Sequence, residues 1–395
     1  MTTSHQPGAF HIPSLDGLRA VAILLVFVAH AGLDHIVPGG FGVTIFFFLS
    51  GYLITTLLRR EFDRFGSIDL WQFYLRRVLR IWPAFYLVLL CGAALTLLHV
   101  LPGTLGIGAS FAQLFHFSNY YSIWFGSKDV IAGTEVFWSL AVEEHFYLVF
   151  PLLYGLLLRF RVRPFHQFLT LLSVCALVLA WRCLLVAIAG AGAAFDHTYY
   201  ATDARVDSLL FGCALAVFGN PVLDGPPRHE RIVKYMVLPI SVALILGTFL
   251  YRSETFRETL RYTVQGIALL PVFVAAVSYP DWGPFRLLNL NWVRFMGTIS
   301  YSFYLVHYTV IKAVKFHAVT LPAFLQGPMA LALSIAIAYA IYRLVELPLS
   351  HVRRRLTHRD PADEPAQSGG DGELSPAQGG DGPSSIKALV SRSLG

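Results

Sequence analysis

Ten apolar runs, at residues 17–35, 41–58, 81–100, 135–158, 167–190, 205–219, 235–252, 261–279, 297–316 and 326–347, dominate the chain and are separated by polar stretches. Most approach the ~20 residues that an α-helix needs to cross the hydrocarbon core of a bilayer. In lipid every backbone N–H and C=O must find its partner within the segment, so such runs predict helices. The expected fold is therefore all-α, a polytopic membrane protein with about ten transmembrane helices, of which the run at 205–219 is the shortest.

The polar stretches give the direction of each span. Arg59, Arg60, Arg64, Arg76, Arg77 and Arg80 lie around the junction of the second and third runs; Arg159, Arg161 and Arg163 follow the fourth. Arg228, Arg231 and Lys234 follow the sixth, Arg286 and Arg294 the eighth, and Arg353, Arg354 and Arg355 the tenth. Lys128 stands alone in the long 101–134 connection, whereas Arg252, Arg257 and Arg261 run against the trend. Basic residues concentrate on the cytoplasmic side, which places both termini there, Arg19 near the inner face and His30 toward the outer half. The first run follows a polar stretch without a basic leader region and contains Arg19 and His30, so it is expected to stay as a membrane helix. Residues 1–12 read as a short polar arm and 13–356 as one membrane domain. Residues 357–395 include PADEPAQSGGDGELSPAQGGDGPSS and read as a disordered cytoplasmic tail.

Composition reinforces the membrane class: 55% of residues are hydrophobic and only 14% charged, against about a quarter charged in soluble domains. The net charge of +6 does not point to nucleic acid, because the basic residues sit at the ends of apolar runs. Cys91, Cys175, Cys183 and Cys213 fall within apolar stretches without metal-ligand spacing and read as buried, small apolar residues.

Ionisable residues inside the runs are the candidates for chemistry, since burying them in a bilayer is costly. Eleven residues at ~100° each are about three turns, so Arg19 and His30 share a helix face roughly 16 Å apart. A neutral imidazole at His30 suits general-base catalysis; the plainer alternative is a packing histidine bonded to a backbone carbonyl. Arg77 and Arg80 stand one turn apart and fit a phosphate-binding pair, or simply topology signals at a helix end. The adjacent Glu143 and Glu144 cannot both face lipid. Arg205 and Asp207 open the sixth run and read either as a mutual salt bridge or as a rim that binds hydroxyl groups. Tyr301, Tyr304 and His307 fall within two turns and suit the lining of one cavity, or interfacial anchoring in the case of the tyrosines. Glu346, before Pro348, reads as structural. No nucleophile elbow, zinc motif, Walker loop or dinucleotide fingerprint occurs in a suitable context, so metal or nucleotide-hydrolysis chemistry gains no support.

Several of these residues occur in an order that resembles the membrane-bound acyltransferase 3 family, the O-acetylases of carbohydrates and related hydroxyl compounds. The resemblance rests on Asp16-Gly-Leu-Arg19, then His30, then Gly42, Val43, Phe47, Ser50 and Gly51. Further matches are Arg77-x-x-Arg80 followed by Pro83 and Tyr86, the Trp138-Ser-Leu-x-x-Glu143-x-x-Phe-Tyr147 pattern, Arg205-x-Asp207, and Ser300-Tyr-x-x-Tyr-Leu-x-His307. It spans most of residues 10–350. It implies transfer of an acyl group, most simply acetyl, from cytoplasmic acyl-CoA to a hydroxyl of a cell-envelope carbohydrate, without a metal. Arg77 and Arg80 would then hold the donor, His30 would act as base with Arg19 assisting, and Glu143 would orient His30, hold the acceptor or pair with an arginine. Arg205, Asp207, Tyr301, Tyr304 and His307 would contact the acceptor. Acylation of a small metabolite such as a macrolide is an alternative, as is a secondary transporter of an anionic or saccharide solute, although the two halves show no repeat. The catalytic reading requires one water-accessible passage shared by the arginines and His30.

Overall fold

The structure is a computed structural model that describes residues 12–357. The expected arm and tail lie outside the described residues, apart from Ile12 and Thr357. Ten helices match the ten apolar runs: α1 (Pro13–Val28), α2 (Gly39–Phe65), α3 (Leu70–Leu97), α4 (Trp138–Arg159), α5 (Pro164–Ala189), α6 (Thr202–Val217), α7 (Leu238–Leu250), α8 (Leu260–Ser278), α9 (Ser300–His317) and α10 (Ala323–Ile341). No strand occurs among the described residues. Eight of the spans are long and apolar enough to cross a bilayer, α1 and α7 when counted with the helical turns that continue them, as Pro13–Leu33 and Glu230–Leu250. The remaining two are α6, with 16 residues, and α9, which carries Lys312 and Lys315 among its 18.

The shortness of α6 has a packing reason. It is buried along nearly its whole length, wedged between α2, α5 and α8, so it meets protein rather than lipid. Its crossing with α2 is close because both helices present glycine: a Cβ on Gly51 would lie 1.9 Å from the Leu209 carbonyl oxygen, and one on Gly212 2.1 Å from that of Phe48. Small residues at such crossings let backbones pack where lipid gives no hydrophobic drive to associate. The inner end of this pair is tied by Arg59 of α2, which donates to the Ala216 and Val217 carbonyls and to Asp224. Those carbonyls are the unsatisfied acceptors of the end of α6.

The start of α1 is clamped in the same way. A Cβ on Gly297 would meet the Asp16 carbonyl at 1.9 Å, and one on Gly17 the Leu288 carbonyl at 2.4 Å, so Asp16 and Arg19 are held against the segment that precedes α9. At its other end α1 widens into a π-helical turn, Ala29–Leu33, closed by Gly32 at φ +121°. His30 lies in that turn; π-turns inside helices often occur at functional sites.

The 101–134 connection is partly helical, with short helices at Ile107–Leu114 and Ser118–Phe125. The cysteine expectation needs correction for two of four: Cys175 and Cys213 are buried, but Cys91 and Cys183 are exposed on the outer surfaces of α3 and α5. An apolar sequence position in a span can face lipid as readily as core.

Candidate functional site

α1, α2, α3, α4 and α9 enclose a cavity of about 250 Å³ that contains most of the singled-out ionisable groups. Arg19, Arg77, Arg80, Glu143, Glu144, Tyr301 and Tyr304 all line it. Their charges are engaged very differently. Arg19 Nη1 bonds Asp16 Oδ1 at 2.7 Å, an ion pair one turn apart on α1. Arg77 and Arg80 have no carboxylate within ion-pair distance among the described residues. Arg77 instead packs over the rings of Phe73 and Tyr147, at 5.7 and 5.4 Å from their centroids. Such stacking orients a guanidinium while leaving its N–H groups open.

Glu143 accepts hydrogen bonds from Ser50 Oγ at 3.1 Å and Tyr147 Oη at 2.7 Å. The idea that Glu143 orients His30 is therefore corrected, as is its pairing with an arginine: its partners are hydroxyls. Beside it, Glu144 leaves Oε1 buried without a hydrogen-bond partner. Tyr301 donates to the Ile81 carbonyl at 2.7 Å, which fastens α9 to α3 next to the arginines.

Tyr304 closes the far end of the cavity. Its hydroxyl lies 2.6 Å from Ser139 Oγ and 2.8 Å from the Val136 carbonyl oxygen. His307 and His30 lie beyond, outside the cavity lining. His307 is wholly buried, with Nδ1 2.7 Å from the Tyr304 carbonyl oxygen and Nε2 3.1 Å from His30 Nδ1. His30 itself is partly exposed. The expected single passage from Arg19 to His30 is thus not met in this structure: Tyr304 and His307 stand in it, and the catalytic reading requires the Tyr304–Ser139 contact to open. His30 is turned toward α9 rather than lipid, against His307 and the Tyr308 ring, whose centroid is 4.7 Å away.

Arg205 and Asp207 need the largest revision. They do not pair with each other: Asp207 bonds Arg182 at 2.7 Å, and both members of that pair are fully buried. Arg205 is also fully buried, 3.9 Å from the Tyr262 centroid and near the rings of Phe47, Trp138 and Tyr199. Because Phe47 also lines the cavity, Arg205 stands behind its wall, not on a solvent-facing rim. Arg182 escaped the sequence reading although its signal was present, a lone cation in the apolar run of α5. Ser50 and Ser139 were visible only as motif positions. Glu346 accepts a hydrogen bond from Ser302.

Outside the spans, His116 in the connection between α3 and α4 is buried against the Phe85 ring, centroid to centroid 4.5 Å. Burial, with a smaller contribution from His145, pushes its pKa down to about 4. Among the described residues no group of three or more His, Cys, Asp or Glu side chains is arranged to hold a metal ion.

Comparison with known proteins follows the same residues. The profile of a family described as an acyltransferase domain matches residues 12–343. A protein of Staphylococcus aureus strain COL, whose name assigns it provisionally to the O-acetyltransferases, is 33% identical over 362 residues, covering 86% of this chain and 57% of its own. Peptidoglycan O-acetyltransferase OatA of Listeria monocytogenes is 30% identical over 351 residues, covering 86% of this chain and 56% of its own. O-acetyltransferase OatA of Staphylococcus aureus strain NCTC 8325 is 31% identical over 354 residues, with 86% and 57% covered. The chain thus spans little more than half the length of the curated relatives it matches. No solved structure matches.

Proposed function

The chain belongs to the acyltransferase family that its residues 12–343 match, and from that premise we propose that it is an integral membrane O-acyltransferase. It moves an acyl group, most simply acetyl, from acyl-CoA to a hydroxyl of a cell-envelope carbohydrate. The observation that carries this reading is the pair Arg77 and Arg80, which line the cavity without an ion-pair contact to a carboxylate among the described residues, although Glu143 and Glu144 line the same cavity. Planar guanidinium forks match phosphate oxygens, and the phosphates of acyl-CoA supply the missing counter-charge. A cavity of about 250 Å³ suits a slender pantetheine arm better than a nucleotide, which would stay at the arginine-rich mouth. That mouth is the cytoplasmic side by the distribution of basic residues.

In the reaction, His30 takes the proton of the acceptor hydroxyl as its oxygen attacks the thioester carbon. The tetrahedral adduct collapses, the C–S bond breaks, and the departing thiolate takes up the proton, so no net proton is released. Ser139 and Tyr304 stand between the donor cavity and His30, so the acyl end must pass their hydrogen bond. The acceptor class is suggested by the relatives, of which one is named for peptidoglycan.

The test is a His30→Ala variant that inserts and folds as the wild type does. Acetyl transfer to the envelope, measured as base-labile acetate, is expected to fall by about 10²–10⁴-fold, the range for removing a general base. Undiminished transfer rejects the role of His30. A protein that moves solute without consuming acetyl-CoA rejects the enzyme reading altogether.

A further inference from the structure

The contacts of His30 specify which of its two nitrogens can accept a proton. The Tyr304 carbonyl oxygen can only accept, so His307 Nδ1, 2.7 Å away, must carry a hydrogen. His307 is wholly buried, with no carboxylate within ion-pair distance among the described residues, and an unpaired buried charge is too costly to keep. Its ring is therefore neutral and its Nε2 is a bare lone pair. That lone pair faces His30 Nδ1 at 3.1 Å, which makes His30 Nδ1 the donor. In a neutral imidazole the other nitrogen, Nε2, is then free to accept.

The packing of the ring also opposes its turning. Tyr308 packs against His30 with centroids 4.7 Å apart. Lys312 Nζ sits 5.1 Å from the Tyr308 centroid, and the same ammonium is ion-paired with Glu135 ahead of α4. Flipping the imidazole would break the bond to His307 and disturb this stack.

We infer that His307 is a positioning residue rather than an acceptor-binding one: it holds His30 as the Nδ1-protonated tautomer, so that His30 Nε2 is the base atom. The acceptor hydroxyl then binds at Nε2, the nitrogen that does not face His307. This rests on the proposed role of His30 as base. It assigns to His307 a task that its complete burial permits, whereas direct contact with an acceptor would require it to surface.

The experiment uses the full chain in lipid nanodiscs with ¹⁵N-labelled histidine, the His30 signals being assigned by difference with His30→Gln. The expected spectrum has a protonated Nδ1 and a bare Nε2 on His30; the reverse pattern overturns the inference whatever the activity does. In His307→Leu, His30 should lose this single tautomer, and envelope acetylation measured as base-labile acetate should fall about 10–100-fold, as for loss of a residue that orients a catalytic imidazole. The KM for acetyl-CoA should not change. His307→Asn restores an acceptor and should recover transfer to within about tenfold; equal activity of the Leu and Asn variants overturns the inference. Where His307→Leu fails to fold, the wild-type spectrum decides alone. Activity surviving in His30→Ala would instead remove the base role, leaving the tautomer result intact.

Discussion

Two pairs of arginines lie inside the membrane domain, and they have opposite surroundings. Arg182 and Arg205, on α5 and α6, are wholly buried and engaged: Arg182 donates to Asp207, Thr263 and the carbonyls of Thr259 and Ala204. Arg205 donates to the Tyr199 carbonyl and Thr44 through its two terminal nitrogens and is ringed by aromatic faces, with Nε buried without a partner. Arg77 and Arg80 line a cavity and form no ion pair with a carboxylate among the described residues; Arg205 forms none either, but its contacts are backbone, hydroxyl and ring groups of the packed interior. A charge in an apolar run therefore does not by itself mark a binding site. What distinguishes the two pairs is whether the protein has already used the guanidinium.

The comparison can be broken most forcefully at Asp207. Replacing it with Ala leaves Arg182 charged in a dry interior, and loss of one partner of a buried pair costs about 3–5 kcal/mol. A large drop in thermal midpoint is expected from melting of the purified protein, and a wild-type melt would show that this pair is not the lock described here. His116 sharpens the contrast, because its Nε2 is buried without a partner yet lies outside the cavity. Its pKa is pushed from 6.5 to about 4 in the folded state, so the unfolded chain binds the proton more tightly between those values. The neutral ring's contribution is present in full above pH 6.5 and is lost as pH falls toward 4, up to about 3 kcal/mol in all. His116→Phe should remove that part of the acid dependence of stability; an unchanged pH profile would count against burial as its cause. Arg205→Lys is the smallest change. An ammonium keeps the charge but loses the planar stacking, for a destabilisation of about 1–2 kcal/mol with donor affinity unaltered. Weakened acetyl-CoA binding in that variant would place Arg205 in the cavity's machinery after all.

Most of the architecture was legible in the chain because length and hydropathy constrain membrane helices so strongly. All ten runs are helices, including the short one at 205–219, whose complete burial against α2, α5 and α8 explains why it need not be bilayer-long. Helical spacing also brought Arg77 with Arg80, and Tyr301 with Tyr304, to the same cavity. It failed where partners come from distant segments. Nothing in Arg205-x-Asp207 reveals that Asp207 would pair with Arg182 instead, and three ideal turns between Arg19 and His30 omit the π-turn at Ala29–Leu33. Glu143 faces inward, and its partner Tyr147 is one turn on along the same helix, where local spacing could place it, but its other partner, Ser50, comes from α2. Local periodicity encodes which face a residue occupies; the identity of its neighbour depends on how helices cross.

The most direct test is calorimetric binding of acetyl-CoA to the purified full chain, compared with Arg77→Gln, Arg80→Gln and Arg205→Lys. Each cavity arginine should contribute about 1.5–3 kcal/mol as a charge-assisted contact, so Arg77→Gln and Arg80→Gln should each weaken binding by about 10–100-fold while melting as the wild type does. Wild-type affinity in both glutamine variants would contradict the account.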